Sequence, residues 1–296
     1  MAPLTLAFHE IGPDALPQVG GKAQNLAALA QAGINVPPGF CISTAAYDRF
    51  IAQLSDAAAR FGELDKLSGD SPELARVAAT NLRSALEGLP MPAEVAQAVL
   101  EAWRALGIGH PLAVRSSATA EDLPGASFAG QQDTFLNVRG EQALLEAVRR
   151  CWISLFTDRA VLYRSRGKFG HRSVKLAVVV QRLVQSDISG ILFTADPISG
   201  HRKIASIDAG FGLGEALVGG LVNADLYRVD RRTSQVLTAR VGTKALAIRS
   251  LPDGGTIRET LPESRRDARV LNDAQALALT ELGSKIEALY RGVPQD

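Results

Sequence analysis

Apolar and polar positions follow two textures along the chain, and the texture changes near residue 185. Before that point, stretches of helical length alternate with a few short apolar runs. Residues 4–8 and 41–42 read as short strands, and residues 174–184 form a β-branched run apolar enough to belong in a sheet covered on both faces. Residues 23–32 place Leu26, Leu29 and Ala30 at helical spacing and stop at Gly33. Residues 44–54 put Tyr47, Phe50, Ile51 and Leu54 on one helical stripe. Ser71-Pro72-Glu73 starts another helix, whose expected buried face is Leu74, Val77, Ala78, Leu82, Ala85 and Leu86. Residues 92–106 make a further helix, and 141–151 with 154–166 make a helical pair.

Residues 185–190 read as a hinge, which predicts one lobe over 1–185 and a second over 186–296. In the second lobe, short strands are expected at 190–194, 203–208, 225–229, 235–241 and 244–248, separated by turn clusters such as 196–200 and 253–255. A final helix over 272–291 would bury Ala276, Leu277, Leu282, Ile286 and Leu289 and end at Gly292.

Candidate chemistry gathers in residues 112–137. A short apolar run, Leu112-Ala113-Val114, leads into Arg115, and the small residues Ser116, Ser117, Ala118, Thr119 and Ala120 follow. Gly125, Ala126, Ser127, Ala129 and Gly130 come next, and residues 133–138 alternate polar and apolar positions like a returning strand. Hydroxyls, glycines and one Arg let donors approach an anion closely, so the stretch reads either as a phosphate lid or as a surface loop. A second feature is Val19-Gly20-Gly21-Lys22, which places Lys22 at a helix start where open N–H groups favour an anion. It is not a Walker A loop, because Leu16 and Ala23 occupy its first-glycine and Ser/Thr positions.

Other patterns resolve towards structure. Gln181 near the end of its apolar run is either a satisfied core amide or a group reading a ligand edge. The glycines of residues 208–215 miss the dinucleotide fingerprint, since Glu215 and Leu217 stand at the third-glycine positions; a tight strand-to-helix turn is expected. Arg149, Arg150, Arg159, Arg164, Arg166, Lys168 and Arg172 lack interleaved aromatics and read as a solvated helix face.

Composition narrows the class. The 32 basic and 31 acidic residues leave a net charge of +1, which gives no electrostatic footprint for nucleic acid or an acidic membrane. Apolar runs such as 176–180 are too short to span a bilayer, and residues 1–14 lack a basic start followed by a long apolar stretch. Cys41 and Cys151 are the only cysteines, and His9, His110, His171 and His201 share no metal-ligand spacing. A reduced, cytoplasmic protein without a structural zinc is expected.

Taken together, Gly20-Gly21-Lys22, the run Val114-Arg115-Ser116-Ser117-Ala118-Thr119-Ala120-Glu121-Asp122-Leu123-Pro124 with Ser127-Phe128-Ala129-Gly130-Gln131, and Gln181 closing an apolar strand resemble the ATP-binding domain of the phosphoenolpyruvate synthase and pyruvate phosphate dikinase family. The resemblance covers essentially the whole chain. It implies an ATP-grasp fold, two α+β lobes with the nucleotide between them, and transfer of the ATP β-phosphate to a His on a separate swivelling domain. Within the family, residues 190–197, 207–217 and 244–248 are most similar to the branch that phosphorylates an antibiotic held by a further domain. A branch with pyruvate as acceptor, and a non-catalytic nucleotide-binding module, are the alternatives. By the same resemblance Lys22 and Arg115 are the catalytic cations on the phosphates, Gly130 and Thr134 belong to the lid and its returning strand, and Gln181 with the backbone near Leu183 reads adenine. ATP and Mg²⁺ are the implied cofactors. The metal-ligating Glu of the family is expected beyond Asp296, so that residues 1–296 alone would not complete a transfer.

Overall fold

The computed structural model describes residues 2–67, 71–119, 133–167 and 169–296, and the chain forms two compact units that divide between Leu183 and Val184. The first unit is built on β1 (Thr5–Ala7), β2 (Gly39–Ile42), β3 (Leu112–Ala118), β4 (Thr134–Val138) and β5 (Leu176–Arg182), paired antiparallel in the order β1-β2-β5-β3-β4. Its helices are α1 (Leu16–Gln31), α2 (Thr44–Ile51), α3 (Ala57–Asp65), α4 (Pro72–Glu87), α5 (Ala93–Leu106), α6 (Glu141–Ser154) and α7 (Asp158–Gly167).

Alternation along the strands sends residues to two different interiors. Phe40, Ile42, Leu112, Val114, Leu176, Val178 and Val180 face the larger core with Phe50, Leu82, Val99, Trp152 and Phe156. Cys41, Ala177 and Val179 face Val19, Ala23 and Ala27 of α1. The apolar run of β5 is thus covered on both sides, as its composition predicts, and each fully buried Val there contributes about 1.5–3 kcal/mol. In β4 the register against β3 shifts at a bulge, where Asn137 takes a positive φ of 55°.

Three expectations need correction in this unit. α3 has no counterpart in the pattern analysis, because only Phe61 and Leu64 anchor it. The buried stripe of α4 is Ala75, Ala79, Leu82 and Leu86, whereas Leu74 and Val77 are 61% and 45% exposed. Small alanines allow α4 to approach α7 and α3 closely, and that packing overrides the more hydrophobic face. Arg164 is no solvated residue: it is fully buried, donating from Nε to His171 Nδ1 at 3.0 Å and from its terminal nitrogen to the Leu155 carbonyl at 2.7 Å. Lys168 of the same group lies outside the described residues.

The second unit holds β6 (Ile188–Phe193), β7 (Ile204–Phe211), β8 (Asp225–Asp230) and β9 (Gln235–Arg240) in sequential antiparallel order, with a hairpin of β10 (Leu246–Ser250) and β11 (Thr256–Thr260). Its helices are α8 (Glu215–Val218), α9 (Glu263–Arg266) and α10 (Asp273–Leu289). The stretch 208–215 is a strand-to-helix turn, with β7 ending at Phe211, Gly212 at φ 80° and α8 opening at Glu215. α10 opens on a capping box between Asn272 and Gln275. Its buried positions are Ala276, Thr280, Gly283 and Glu287, while Leu282 and Leu289 are 38% and 50% exposed, against the expected leucine stripe. A Cβ on Gly283 would come within 2.5 Å of Leu192, so close backbone approach to β6 selects this face. Glu287 is tolerated there because Arg231 lies 2.7 Å away.

The interior of this unit contains an ion pair with both side chains fully buried, Lys244 with Asp225. Asp225 also accepts from Tyr227 Oη at 3.1 Å, the Val270 amide at 2.8 Å and the Gly242 amide at 3.0 Å. One carboxylate therefore ties β8 to the segments that lead into β10 and α10. Both units mix helices with antiparallel sheets, an α+β architecture, and among the described residues no helix is long and apolar enough to cross a membrane.

Removal of one member of such a pair leaves a buried charge uncompensated. Asp225→Ala is expected to destabilise the second unit by about 3–5 kcal/mol, read from denaturant midpoints. A pH effect is expected in the first unit, where burial and then the Arg164 charge hold the His171 pKa down to about 4. The unfolded chain protonates near pH 6.5, so this contribution is intact above that pH and declines from pH 6.5 towards 4, on the order of 2 kcal/mol at pH 4.5. Urea midpoints at pH 7 and 4.5 should diverge less in His171→Asn than in the parent protein.

Candidate functional site

α1 is not a continuous helix. Gly20 takes φ 73° and ψ 168°, which breaks the run, and Lys22 falls in the first turn of the segment that resumes beyond it. A side chain at Gly20 would overlap the carbonyl and hydroxyl of Ser117, so glycine is required here on two grounds. The helical turn at residues 16–19, ahead of the two glycines, is absent from the sequence expectation. From the resumed segment, Lys22 Nζ donates to the Ser116 carbonyl on β3 at 2.6 Å.

The register of β3 places the remaining residues. Arg115 stands opposite Val179 of β5 and Thr134 of β4, while Ala113 stands opposite Gln181. Directly paired residues share a face, and so do positions two apart along a strand. Arg115, Thr134 and Gln181 therefore lie on one face of the sheet, the face that carries Val179 and Ala177 against α1. Lys22 reaches the same strand from α1. Residues 22, 115, 134 and 181, far apart in the chain, meet on one surface. Gln181 is only 6% exposed, and its Nε2 donates to the Pro37 carbonyl at 2.9 Å, which fixes the amide against the Pro37-Pro38 turn. Leu183 follows directly after β5, with its N–H on the Pro111 carbonyl at 2.8 Å. Gly130 and the middle of the predicted lid, residues 120–132, lie outside the described residues.

The hydroxyls expected to face an anion are turned inward. Ser117 is fully buried, donating to the Val19 carbonyl at 2.8 Å and accepting from the Ala23 amide at 3.1 Å. Ser116 Oγ donates to the Asp133 carbonyl at 3.3 Å, and Thr119 Oγ1 to the Lys175 carbonyl at 3.3 Å. The described site thus presents cations and an anchored amide rather than a row of hydroxyl donors. Cys41 and Cys151 are buried, and burial pushes both thiols up, away from the thiolate form. Among the described residues no group of three or more His, Cys, Asp and Glu is placed to hold a metal ion.

Lys22 of α1 and Arg115 of β3 are thus the cations of this sheet face, beside the buried Gln181 amide. The model of the pyruvate phosphate dikinase AMP/ATP-binding domain matches residues 16–296. The chain belongs to this family. It is 47% identical to a rifampicin phosphotransferase of Streptomyces sviceus over 98% of its residues and 33% of that protein, and 45% identical to one of Bacillus subtilis over 100% and 34%. It is also 43% identical to a probable phosphoenolpyruvate synthase of Methanothermobacter thermautotrophicus, over 98% of its residues and 42% of that protein. The chain spans about a third of the length of the rifampicin phosphotransferases it matches.

Some site-supporting residues escaped the sequence reading: Ser117 as an internal bridge, and the Pro37 and Asp133 carbonyls as acceptors. The Ser116-Ser117 pair inside a strand was the available signal for the first. The backbone acceptors carry no sequence signal. Gly20→Ala is expected to cost on the order of 1–3 kcal/mol from the positive φ alone, with an added penalty from the overlap with Ser117. Thermal and urea unfolding read that loss, and Gly33→Ala, with a similar φ but open space around it, should cost less.

Proposed function

We propose that the chain is the ATP-binding part of a dikinase-type phosphotransferase of the two-lobed ATP-grasp kind. Lys22 and Arg115 hold the phosphate chain, Thr134 and the lid region with Gly130 close on it, and Gln181 with the Leu183 backbone receives adenine. The observation that carries this reading is the convergence of Lys22, Arg115, Thr134 and Gln181 on one sheet face, in a chain of an AMP/ATP-binding family. With Nε2 committed to Pro37, the carbonyl oxygen of Gln181 is the end that would accept from the exocyclic amine of a purine.

Phosphoryl transfer needs charge neutralisation and alignment more than covalent help, which is what a Lys and an Arg on a rigid sheet supply. The β-phosphoryl group passes to a His on a separate swivelling domain and then to the acceptor, water takes up the γ-phosphoryl group as inorganic phosphate, and AMP leaves with the α-phosphate. ATP chemistry of this kind uses Mg²⁺, and among the described residues no group of three or more His, Cys, Asp and Glu is placed to hold it. Rifampicin is the acceptor favoured by the relatives at 43–47% identity, bound by a separate antibiotic-binding domain. Pyruvate is the second reading, supported by the 43% identity to a probable phosphoenolpyruvate synthase.

Lys22→Ala and Arg115→Ala should each weaken ATP binding roughly 10- to 100-fold, as expected for loss of a charge-assisted contact, with the fold retained by circular dichroism. Calorimetric titration checks this, and unchanged affinity in both variants would refute the assignment. AMP release by the full-length protein, measured with rifampicin or with pyruvate, separates the acceptors.

A further inference from the structure

In an unbroken α-helix the Ala23 amide would donate to the Val19 carbonyl four residues earlier. Gly20, at φ 73°, turns the chain out of the helix between them. The Ser117 hydroxyl occupies the gap, taking the Ala23 N–H at 3.1 Å and giving its own proton to the Val19 carbonyl at 2.8 Å. Val19, Ala23 and Ser117 are all fully buried, so water cannot replace the hydroxyl. A hydroxyl suits the task because a single oxygen both donates and accepts, so one small side chain bridges an N–H and a carbonyl. The neighbouring Ser116 carbonyl takes Lys22 Nζ at 2.6 Å. Two consecutive residues of β3 thus grip both the break in α1 and the lysine that follows it.

We propose that Ser117 is a positioning residue for Lys22: its hydroxyl stands in for the helical bond lost at Gly20 and keeps the resumed helix in register with Arg115. The proposal rests on the reading of this face as a phosphate site. Without the hydroxyl, a buried carbonyl and a buried amide lose their partner, and the least costly repair is for them to move towards each other. Closure of the break would rotate residues 21–31 relative to 16–19 and withdraw Lys22 from the Ser116 carbonyl. The Cys41 thiol, which also approaches the Val19 carbonyl at 3.6 Å, is too weak a donor to hold the gap by itself.

The test compares ATP dissociation constants in the full-length protein for Ser117→Ala, Lys22→Ala and Val99→Ala, the last creating a cavity in the core on the opposite sheet face. Ser117→Ala is expected to weaken ATP about tenfold and to raise hydrogen exchange at the Ala23 amide, while Val99→Ala loses stability and keeps its affinity. Should Ser117→Ala not fold, Ser117→Cys, with a weaker donor, should lose affinity several-fold. Parental ATP affinity in the Ser117 variants beside a weakened Lys22→Ala overturns the positioning role and leaves the nucleotide reading intact. An equal loss of affinity in Val99→Ala also overturns it, since the effect would then be general. Parental affinity in Lys22→Ala refutes both.

Discussion

The pairing of β3 with β5 is the constraint on which the first unit depends. It runs without interruption from Leu112 opposite Arg182 to Ala118 opposite Leu176. A slip of one residue would exchange the faces of β3, sending Arg115 into the packed core and Val114 out of it. Burial resists that slip strongly, because Val114, Val178 and Val180 are fully enclosed. The register that satisfies the apolar core therefore also delivers Arg115, Thr134 and Gln181 to the opposite face. Packing and site geometry are two consequences of one alignment.

On that opposite face the core is thin, and polar contacts take over the work of positioning. The interior there is formed by short side chains such as Ala23, Ala27, Cys41 and Ala177. Small residues let α1 lie close to the strands, near enough for a serine hydroxyl to enter its broken turn. Close approach and the glycine break support each other. The second unit uses the same device differently, with Gly283 bringing α10 against β6 and the Asp225 carboxylate joining separate segments through buried hydrogen bonds.

How legible these arrangements were depended on whether a signal was local. The helix resuming after Gly20-Gly21, the apolar strand that carries Gln181, and the strand over 134–138 were readable because glycine conformations and β-branched runs act over a few residues. The glycine-rich turn at 208–215 was readable for the same reason. The buried faces of α4 and α10 were not, since the choice of face belongs to the partner element. Arg164 illustrates this most sharply: in sequence it is one cation among several, and only the fold supplies His171, the Leu155 carbonyl and the Phe156 ring around it.

The sequence by itself determined the family of the chain, the glycine break ahead of Lys22 and the doubly covered strand that carries Gln181. Those properties reside in residue types and short spacings. The tertiary structure decided which of them share a face, which hydroxyls turn inward to hold the backbone, and which charged groups are buried. Each of these is set by contacts between residues distant in the chain, such as Lys22 with Ser116 and Ala23 with Ser117, 94 positions apart, and Gln181 with Pro37, 144 apart, and no local pattern encodes them.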